Sequence, residues 1–308
     1  MSRPIYRWEP VSSRIQFPRE NMKKLFTKQR AFSWPSSAKK KPATSSRSAE
    51  LSIQFLDQVS CFETLRAYGG KIFCLDAHLA RLADSCAGIG KPPPFETDAL
   101  ARWVKAALLK SACPDAMIRC SLHWKNELEG AWLVIIRKFL GYPRRWYETG
   151  VSLSTTVVKR WTLRAQNPQI KSSVYMNGVL AELDGRTADQ HEFIFLNEAA
   201  AVAEGSVSNL FIVKTKRLLT PAVSSGILRG VTRAAVIDLA KKSGLPVVET
   251  ILSRHDFYSA DECFMANTSS EVLPVVSVDT RRIADGRPGL ITETLARDFK
   301  KYVTEKLG

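Results

Sequence analysis

Four short apolar segments follow one another between residues 192 and 221, and they constrain the fold more than any other feature of the chain. Four runs there are rich in apolar and β-branched residues and are separated by polar or glycine-containing turns, which is typical of β-strands. The runs are EFIFLN (192–197), AAAVAEG (199–205), NLFIVKT (209–215) and RLLTP (217–221). Across the whole chain, strands and helices mix without strict βαβ alternation, which favours an α+β fold over a doubly wound sheet.

The other elements follow from local patterns of apolar spacing and turn residues. FETLRAYGGKIFCL (62–75) predicts a hairpin that turns at Gly69-Gly70, and Asp76 is the predicted N-cap of the helix that follows. Further predictions are helices over 97–111, 176–190, 231–243, 254–259 and 290–305, and strands over 116–123, 131–137, 246–251, 262–267 and 272–279.

Composition changes along the chain and suggests three parts. Residues 1–50 carry much of the net charge of +15 and interleave lysines with Pro and Ser, which predicts a flexible basic leader. Residues 51–160 are predicted to form a smaller N-terminal α/β domain. Residues 161–308 are predicted to form a larger C-terminal domain, rich in strands and flanked by helices.

Several classes of protein are disfavoured by what the sequence lacks. It has no apolar run of 18 residues and no apolar secretory signal, so we expect neither a membrane span nor export. The six cysteines form no C-x-x-C pair, which favours reduced thiols in a cytoplasmic protein and no metal site. A nucleic-acid role would rest on the basic leader alone, because no RRM, zinc or helix-turn-helix signature supports it.

Lys171 is the first candidate for chemistry. It lies in PQIKSSVYMNGVLA (168–181), between a loop and a predicted helix, with Tyr175 four residues further on. A lysine whose pKa is lowered by its surroundings can form a Schiff base with an aldehyde cofactor. Taken alone, a lysine at the start of a helix is more often an ordinary surface residue.

Glu204 is the second candidate, because it stands inside the otherwise apolar run AAAVAEG. A buried carboxylate is costly unless it meets a cation or a hydrogen-bond donor. A protonated pyridine nitrogen would be a suitable partner. A glutamate at a strand end that faces solvent remains the alternative.

Two loops and two arginines have the chemistry to bind anions. GILRGVTRAAV (226–236) places Thr232 at the start of a helix, where backbone N–H groups favour phosphate, and ANTSSEVLPV (266–275) is a second loop rich in hydroxyl groups. Arg81 on the early helix has a donor fork that suits phosphate, and Arg119 lies within a strand run. Each of these features by itself is also compatible with ordinary turns and solvent-facing cations.

Taken together, six segments in order resemble the class IV (fold-type IV) pyridoxal 5′-phosphate (PLP) aminotransferases, and branched-chain amino acid aminotransferases most. The segments are FETLRAYGGKIF, LDAHLARL, IKSSVYMNGVLA, AEGSVSNLFIV, GILRGVTR and ADECFMANTSSEVLPV. The resemblance runs from about Phe62 to Val303 and implies the two-domain α+β fold of that family. Residues 1–50 do not match the family.

The resemblance also implies a role for individual residues. Lys171 matches the family's Schiff-base lysine, Glu204 the carboxylate that pairs with the pyridine nitrogen, and Tyr175 the tyrosine near the phenolic oxygen. The remaining cofactor matches are Arg81, Leu228, Val231, Thr232 and Thr268. Arg119, Ser269 and Ser270 match positions that bind the substrate carboxylates.

The implied activity is transfer of an amino group from a branched-chain or aliphatic L-amino acid to a 2-keto acid such as 2-oxoglutarate. Aminodeoxychorismate lyase and D-amino acid aminotransferase are alternatives within the family. A catalytically impaired relative is a further alternative, because the N-terminal region departs from the family pattern. The family resemblance also implies a homodimer or a larger homo-oligomer.

Overall fold

Two β-sheets organise the residues that the structure describes. The computed structural model describes residues 29–35, 43–44, 60–91, 93, 96–124, 130–160, 167–173, 176–183 and 190–308. None of the helices in these ranges is long and apolar enough to cross a membrane.

The first sheet contains six antiparallel strands in the order β2-β1-β6-β5-β3-β4. Its strands are β1 (Gln29–Pro35), β2 (Ala43–Thr44), β3 (Ser60–Tyr68), β4 (Lys71–Ile72), β5 (Ala116–Trp124) and β6 (Gly130–Lys138). Two helices, α1 (Leu75–Gly88) and α2 (Thr97–Ser111), pack against the sheet. A core that includes Leu65, Leu82 and Ile118 fills the space between the sheet and these helices.

The second sheet has nine strands in the order β12-β11-β10-β13-β14-β7-β8-β9, with β15 paired to β14. Its strands are β7 (Val151–Thr155), β8 (Gln190–Leu196), β9 (Val202–Gly205), β10 (Asn209–Lys214), β11 (Arg217–Pro221), β12 (Val247–Thr250), β13 (Glu262–Asn267), β14 (Glu271–Val278) and β15 (Arg281–Arg282). Three neighbouring pairs are parallel, namely β11/β12, β14/β7 and β7/β8, and the others are antiparallel. The sheet is therefore mixed, as expected for an α+β fold.

In the described ranges, the second half contains five further α-helices and one short 3-10 helix, Val223–Ser225. The α-helices are α3 (Arg144–Thr149), α4 (Met176–Leu183), α5 (Val231–Lys242), α6 (Arg254–Tyr258) and α7 (Leu290–Leu307). Helices α5 and α7 bury their apolar sides against the sheet, where Phe211 stacks on Phe264 at 4.8 Å and Phe299 is buried. The two-domain α+β architecture predicted from the sequence is confirmed.

Three local predictions differ from the structure. Helix α1 begins at Leu75 after Cys74, whose φ of 48° puts it in the left-handed region, so Asp76 is not the N-cap and lies in the first turn. A strand, β1, occurs within the predicted leader because it pairs along its length with β6. Strand β7, which the predicted division assigns to the smaller domain, belongs to the second sheet. Residues 184–189, the second part of the helix predicted over 176–190, lie outside the described ranges.

Gly150, which connects α3 to β7, provides a test of this packing. Its φ of 76° and ψ of 175° lie in a region that is almost restricted to glycine, and an added Cβ would overlap Cγ1 of Val276. We expect Gly150→Ala to lower the free energy of unfolding by about 1–3 kcal/mol more than Gly244→Ala. Gly244 also has positive φ, but an added Cβ there meets nothing within 4 Å. Urea unfolding of both variants measures the difference, and equal losses would contradict the packing described here.

Candidate active site

A cavity of about 470 Å³ lies where the two sheets meet. Strands of both sheets, helix α1 and the loop that ends at residue 173 contribute to its wall. Nine of the residues singled out from the sequence line it: Arg81, Arg119, Lys171, Glu204, Leu228, Val231, Thr232, Thr268 and Ser269. Residues that are as far apart in sequence as 81 and 269 are therefore brought to one site.

Backbone contacts hold the Lys171 segment against β3. The Lys171 carbonyl accepts a hydrogen bond from Phe62 N at 2.9 Å, and Ser173 N donates to the Ser60 carbonyl at 2.7 Å. The Lys171 N–H donates to the Ser85 hydroxyl of α1 at 3.0 Å. These three hydrogen bonds fix the backbone at Lys171 against β3 and α1, so the lysine side chain starts from a defined point. Its Nζ lies 4.8 Å from the centre of the Phe62 ring.

The environment of Lys171 favours the neutral amine. Burial lowers the pKa of Lys171 to about 8, although the charges of Glu63 and Glu204 act in the opposite direction. A neutral amine is the form that can attack an aldehyde or accept a proton from carbon. At neutral pH, part of the Lys171 population is therefore in the reactive form.

Glu204 is buried and accepts three contacts from donors, one fewer than the roughly four lone-pair sites of a carboxylate. Its Oε1 lies 2.6 Å from Nη2 of Arg160, and its Oε2 accepts from Leu228 N at 2.8 Å and from Asn209 Nδ2 at 3.3 Å. Burial raises the pKa of Glu204, while Arg160 and the Leu228 N–H oppose that effect. The result is a carboxylate held in one orientation at the edge of the same cavity as Lys171.

The start of α5 and Arg81 form a corner of the cavity whose N–H donors are suited to an anion. The first N–H groups of a helix have no partner within the helix. Among the described residues, no side chain caps this twelve-residue helix, so these N–H groups are available to a ligand. Gly230 is the N-cap of this helix, and an added Cβ there would overlap Asn209 Oδ1. The backbone can therefore lie this close to the Asn209 side chain only because the residue is glycine. Arg81 Nη1 donates to the Arg229 carbonyl at 2.8 Å, which brings the guanidinium to this corner. Val231 and Thr232 complete it.

The loop between β13 and β14 is organised by Asn267. Its Oδ1 accepts from the N–H groups of Ser269 and Ser270 at 2.9 and 2.7 Å, and from their hydroxyls at 3.0 and 2.9 Å. Thr268 and Ser269 line the cavity. Ser270 is buried, its carbonyl accepts from the Tyr147 hydroxyl at 3.2 Å, and it is not among the residues that line the cavity.

Arg119 supplies a second cation to the cavity wall. Its guanidinium lies 3.6 Å from the centre of the Phe62 ring. Burial, together with the charge of Arg137, lowers the pKa of Arg119 to about 10, which leaves it charged at neutral pH. A half-buried cation stacked on an aromatic ring at a cavity wall is suited to binding a carboxylate.

Tyr175 lies outside the described residues, so its predicted place near the cofactor stays a prediction. Among the described charged residues of the site, Glu63 and Arg160 were not singled out from the sequence. Glu63 binds Arg81, and its signal was available, since it is a carboxylate inside the apolar alternation of β3, as Glu204 is in β9. Arg160 has no comparable signal, because its partner Glu204 is 44 positions away.

Comparison with known proteins places these observations in a wider context. A family model described as "Amino-transferase class IV" matches residues 60–278. A branched-chain-amino-acid aminotransferase of Pseudomonas aeruginosa is 31% identical over 259 residues, covering 80% of this chain and 84% of that protein. A D-alanine aminotransferase of Listeria monocytogenes is 31% identical over 267 residues, covering 83% of this chain and 90% of that protein.

A solved structure shows the same fold. A branched-chain amino acid aminotransferase from the organism abbreviated T.th., determined with pyridoxamine 5′-phosphate, superposes with a TM-score of 0.82 at 27% identity. The match covers 90% of this chain and 95% of that one.

The lowered pKa of Lys171 predicts a pH-dependent contribution to stability. The unfolded chain binds a proton at this lysine up to the ordinary lysine pKa of 10.5, whereas the folded chain releases it near pH 8. Between these values the unfolded state holds more protons, so stability rises with pH, and below pH 8 the full penalty remains. We expect the unfolding free energy of the wild type, relative to Lys171→Met, to increase from pH 8 to pH 10.5. A pH-independent difference in urea denaturation would show that the amine is not buried as described.

Proposed function

The chain belongs to the class IV aminotransferase family, and on that premise we propose that it transfers the amino group of a branched-chain or aliphatic L-amino acid to a 2-keto acid such as 2-oxoglutarate. We propose that PLP is the cofactor and that Lys171 holds it. The observation that carries the proposal is that Lys171 and Glu204 line one cavity, beside the corner whose N–H donors are suited to an anion.

The residues of the cavity fit PLP in three respects. Lys171 offers an amine of lowered pKa for the aldehyde. Glu204, held by Arg160, offers a carboxylate for the ring nitrogen. The uncapped start of α5, together with Arg81, Thr232 and Thr268, offers donors for the phosphate. Leu228, which also lines the cavity, would pack on the ring. The structural relative described above was solved with pyridoxamine 5′-phosphate.

PLP when bound supplies an electron sink for the bond that breaks at the substrate Cα. In the proposed reaction Lys171 Nζ, once released as a free amine, takes the proton from Cα and returns it on the cofactor side. General acid–base catalysis of this kind contributes ~10²–10⁴ in rate. Glu204 would hold the ring nitrogen, and its carboxylate, paired with Arg160, would favour a proton on that nitrogen.

Arg119 and the Asn267 loop are the proposed substrate contacts. Both substrates carry a carboxylate, and Arg119 is a charged group at the cavity wall, where it lies against Phe62. We propose that Arg119 binds a substrate carboxylate, with Ser269 and the neighbouring Ser270 backbone on the opposite side. In the present arrangement Ser269 N and Ser270 N donate to Asn267, so substrate binding at these groups requires sharing with that side chain.

A D-amino acid aminotransferase is the second candidate, favoured by the 31% identity with the D-alanine aminotransferase of Listeria monocytogenes. The hand of the substrate depends on which face of the cofactor meets the carboxylate-binding groups. Both candidates use the same Lys171 and Glu204. We further propose a homodimer, and a domain boundary between β6 and β7, since these strands belong to different sheets.

The role of Lys171 is tested by trapping. Borohydride treatment of the protein with PLP should attach the cofactor to Lys171, identified by peptide mass spectrometry. Lys171→Ala should lose the covalent product and lower kcat by about 10²-fold or more, because the proton carrier is removed. Lys105→Ala, an exposed lysine of α2, is the matched control and should retain both properties. Cofactor found on another lysine, or full activity in Lys171→Ala, would refute the assignment.

Substrate choice is tested with a panel of amino donors and 2-oxoglutarate. We expect kcat/KM for L-leucine, L-isoleucine or L-valine to exceed that for D-alanine by at least about tenfold, measured as glutamate formed. A preference for D-alanine would establish the second candidate instead. Formation of pyruvate and p-aminobenzoate from aminodeoxychorismate would indicate the lyase, and no turnover of any donor would indicate an impaired relative.

A further inference from the structure

A buried carboxylate contacts Arg81, and a buried histidine contacts that carboxylate. Glu63 of β3 is 0% exposed, and its Oε1 and Oε2 each lie 2.7 Å from a nitrogen of Arg81, Nε and Nη2 respectively. His78 of α1, 1% exposed, has its Nδ1 2.8 Å from Glu63 Oε2. We propose that Glu63 and His78 are positioning residues that hold the Arg81 guanidinium in the orientation from which it binds the cofactor phosphate. This inference rests on the proposed function.

The sequence brings the three side chains together through two simple periods. In β3, Cys61, Glu63 and Leu65 are spaced two residues apart and therefore lie on the same face, which packs against α1. In α1, His78 and Arg81 are three residues apart and therefore share one face of the helix. The strand thus presents a carboxylate to two donors of the helix.

The carboxylate is charged despite its burial. Burial alone would raise the pKa of Glu63, but the hydrogen bonds from His78 and Arg81 outweigh burial and lower the pKa to about 2. Burial lowers the pKa of His78, so its ring is neutral at physiological pH and donates from Nδ1. Glu63 therefore forms one ion pair, with Arg81, and accepts one hydrogen bond from the neutral ring of His78.

The hydrogen bonds of Arg81 leave donors for a ligand. A guanidinium has five N–H groups. Nε–H and one N–H of Nη2 go to Glu63, and one N–H of Nη1 goes to the Arg229 carbonyl. Within the described part of the chain, one N–H on Nη1 and one on Nη2 remain, on a side chain that is 13% exposed and lines the cavity. Because Glu63 fixes the plane of the fork, these two donors are oriented before any anion binds.

Orientation and charge predict opposite results when Glu63 is changed to Gln. Removing a negative charge next to Arg81 makes the corner more positive, which would strengthen phosphate binding. Losing the bidentate partner frees the guanidinium, which would weaken it. Weaker phosphate binding in Glu63→Gln therefore reports positioning and not charge.

The experiment compares two probes, PLP and pyridoxal, titrated into the full-length apoprotein. Both react with the lysine through an aldehyde at the same ring position, so the effect of a substitution on the covalent step cancels when the ratio of the two dissociation constants is compared with that of the wild type, and the effect on phosphate binding remains. We expect Glu63→Gln to weaken PLP binding by about tenfold or more, the equivalent of one charge-assisted hydrogen bond. Pyridoxal binding should change by less than about twofold, the scale of an interaction that is not coupled to the site. Equal or tighter PLP binding, or equal losses for both probes, would overturn the inference.

Arg81→Ala separates this inference from the proposed function. If Arg81→Ala does not weaken PLP binding relative to pyridoxal, the phosphate assignment itself fails. If it does, the double variant Glu63→Gln/Arg81→Ala should show the same preference for PLP over pyridoxal as Arg81→Ala alone, since Glu63 acts on the phosphate only through Arg81, and its effect on the Lys171 amine is common to both probes. An independent, multiplicative loss in the double variant would refute the positioning role while leaving the proposed function intact.

His78 gives a second route if Glu63→Gln does not fold. Asn at position 78 retains a donor close to the place of Nδ1, whereas Leu fills the space without a donor. We expect His78→Leu to lower the preference for PLP over pyridoxal severalfold and His78→Asn to restore most of it. The same preference in wild type, His78→Asn and His78→Leu would show that His78 only fills space.

Discussion

Ion pairs inside the protein hold the site together. Glu63 and Glu204 each replace an apolar side chain within a buried strand, and a buried carboxylate without a partner costs several kcal/mol. Glu63 is compensated by Arg81 of α1, and Glu204 by Arg160, which follows β7. Each pair ties a strand to a neighbouring segment of chain. Through the Arg229 carbonyl, Arg81 also connects the first sheet with the start of α5 in the second half.

The remaining cations face the cavity and determine which ligands suit it. Lys171, Arg81 and Arg119 all line it, and among the described contacts only Arg81 of these three forms an ion pair with a buried carboxylate. The lowered pKa of Lys171 follows from this arrangement, because burial and the two arginines disfavour its charged form. An amino acid, a 2-keto acid and a phosphate all carry anionic groups, so the proposed substrates and cofactor would neutralise the remaining positive charge of the cavity.

Local patterns predicted most of the elements. The helix predicted over 97–111 has the observed bounds of α2, and the four short strands between 192 and 221 are all present as β8 to β11. Local patterns failed to predict one strand that depends on a distant partner and one helix start that depends on an unusual backbone conformation. Strand β1 forms because β6 pairs with it across about a hundred residues of chain, and Cys74 takes the left-handed conformation that begins α1 one residue before Asp76.

The sequence by itself determined the family, the α+β class and the residues Lys171, Glu204 and Arg81, because apolar periods and short motifs are properties of neighbouring residues. Only the tertiary structure decided that Arg160 pairs with Glu204, and that Glu63 bridges His78 and Arg81. These contacts join positions that strand register and helix packing bring together, and no local pattern specifies a register between distant strands.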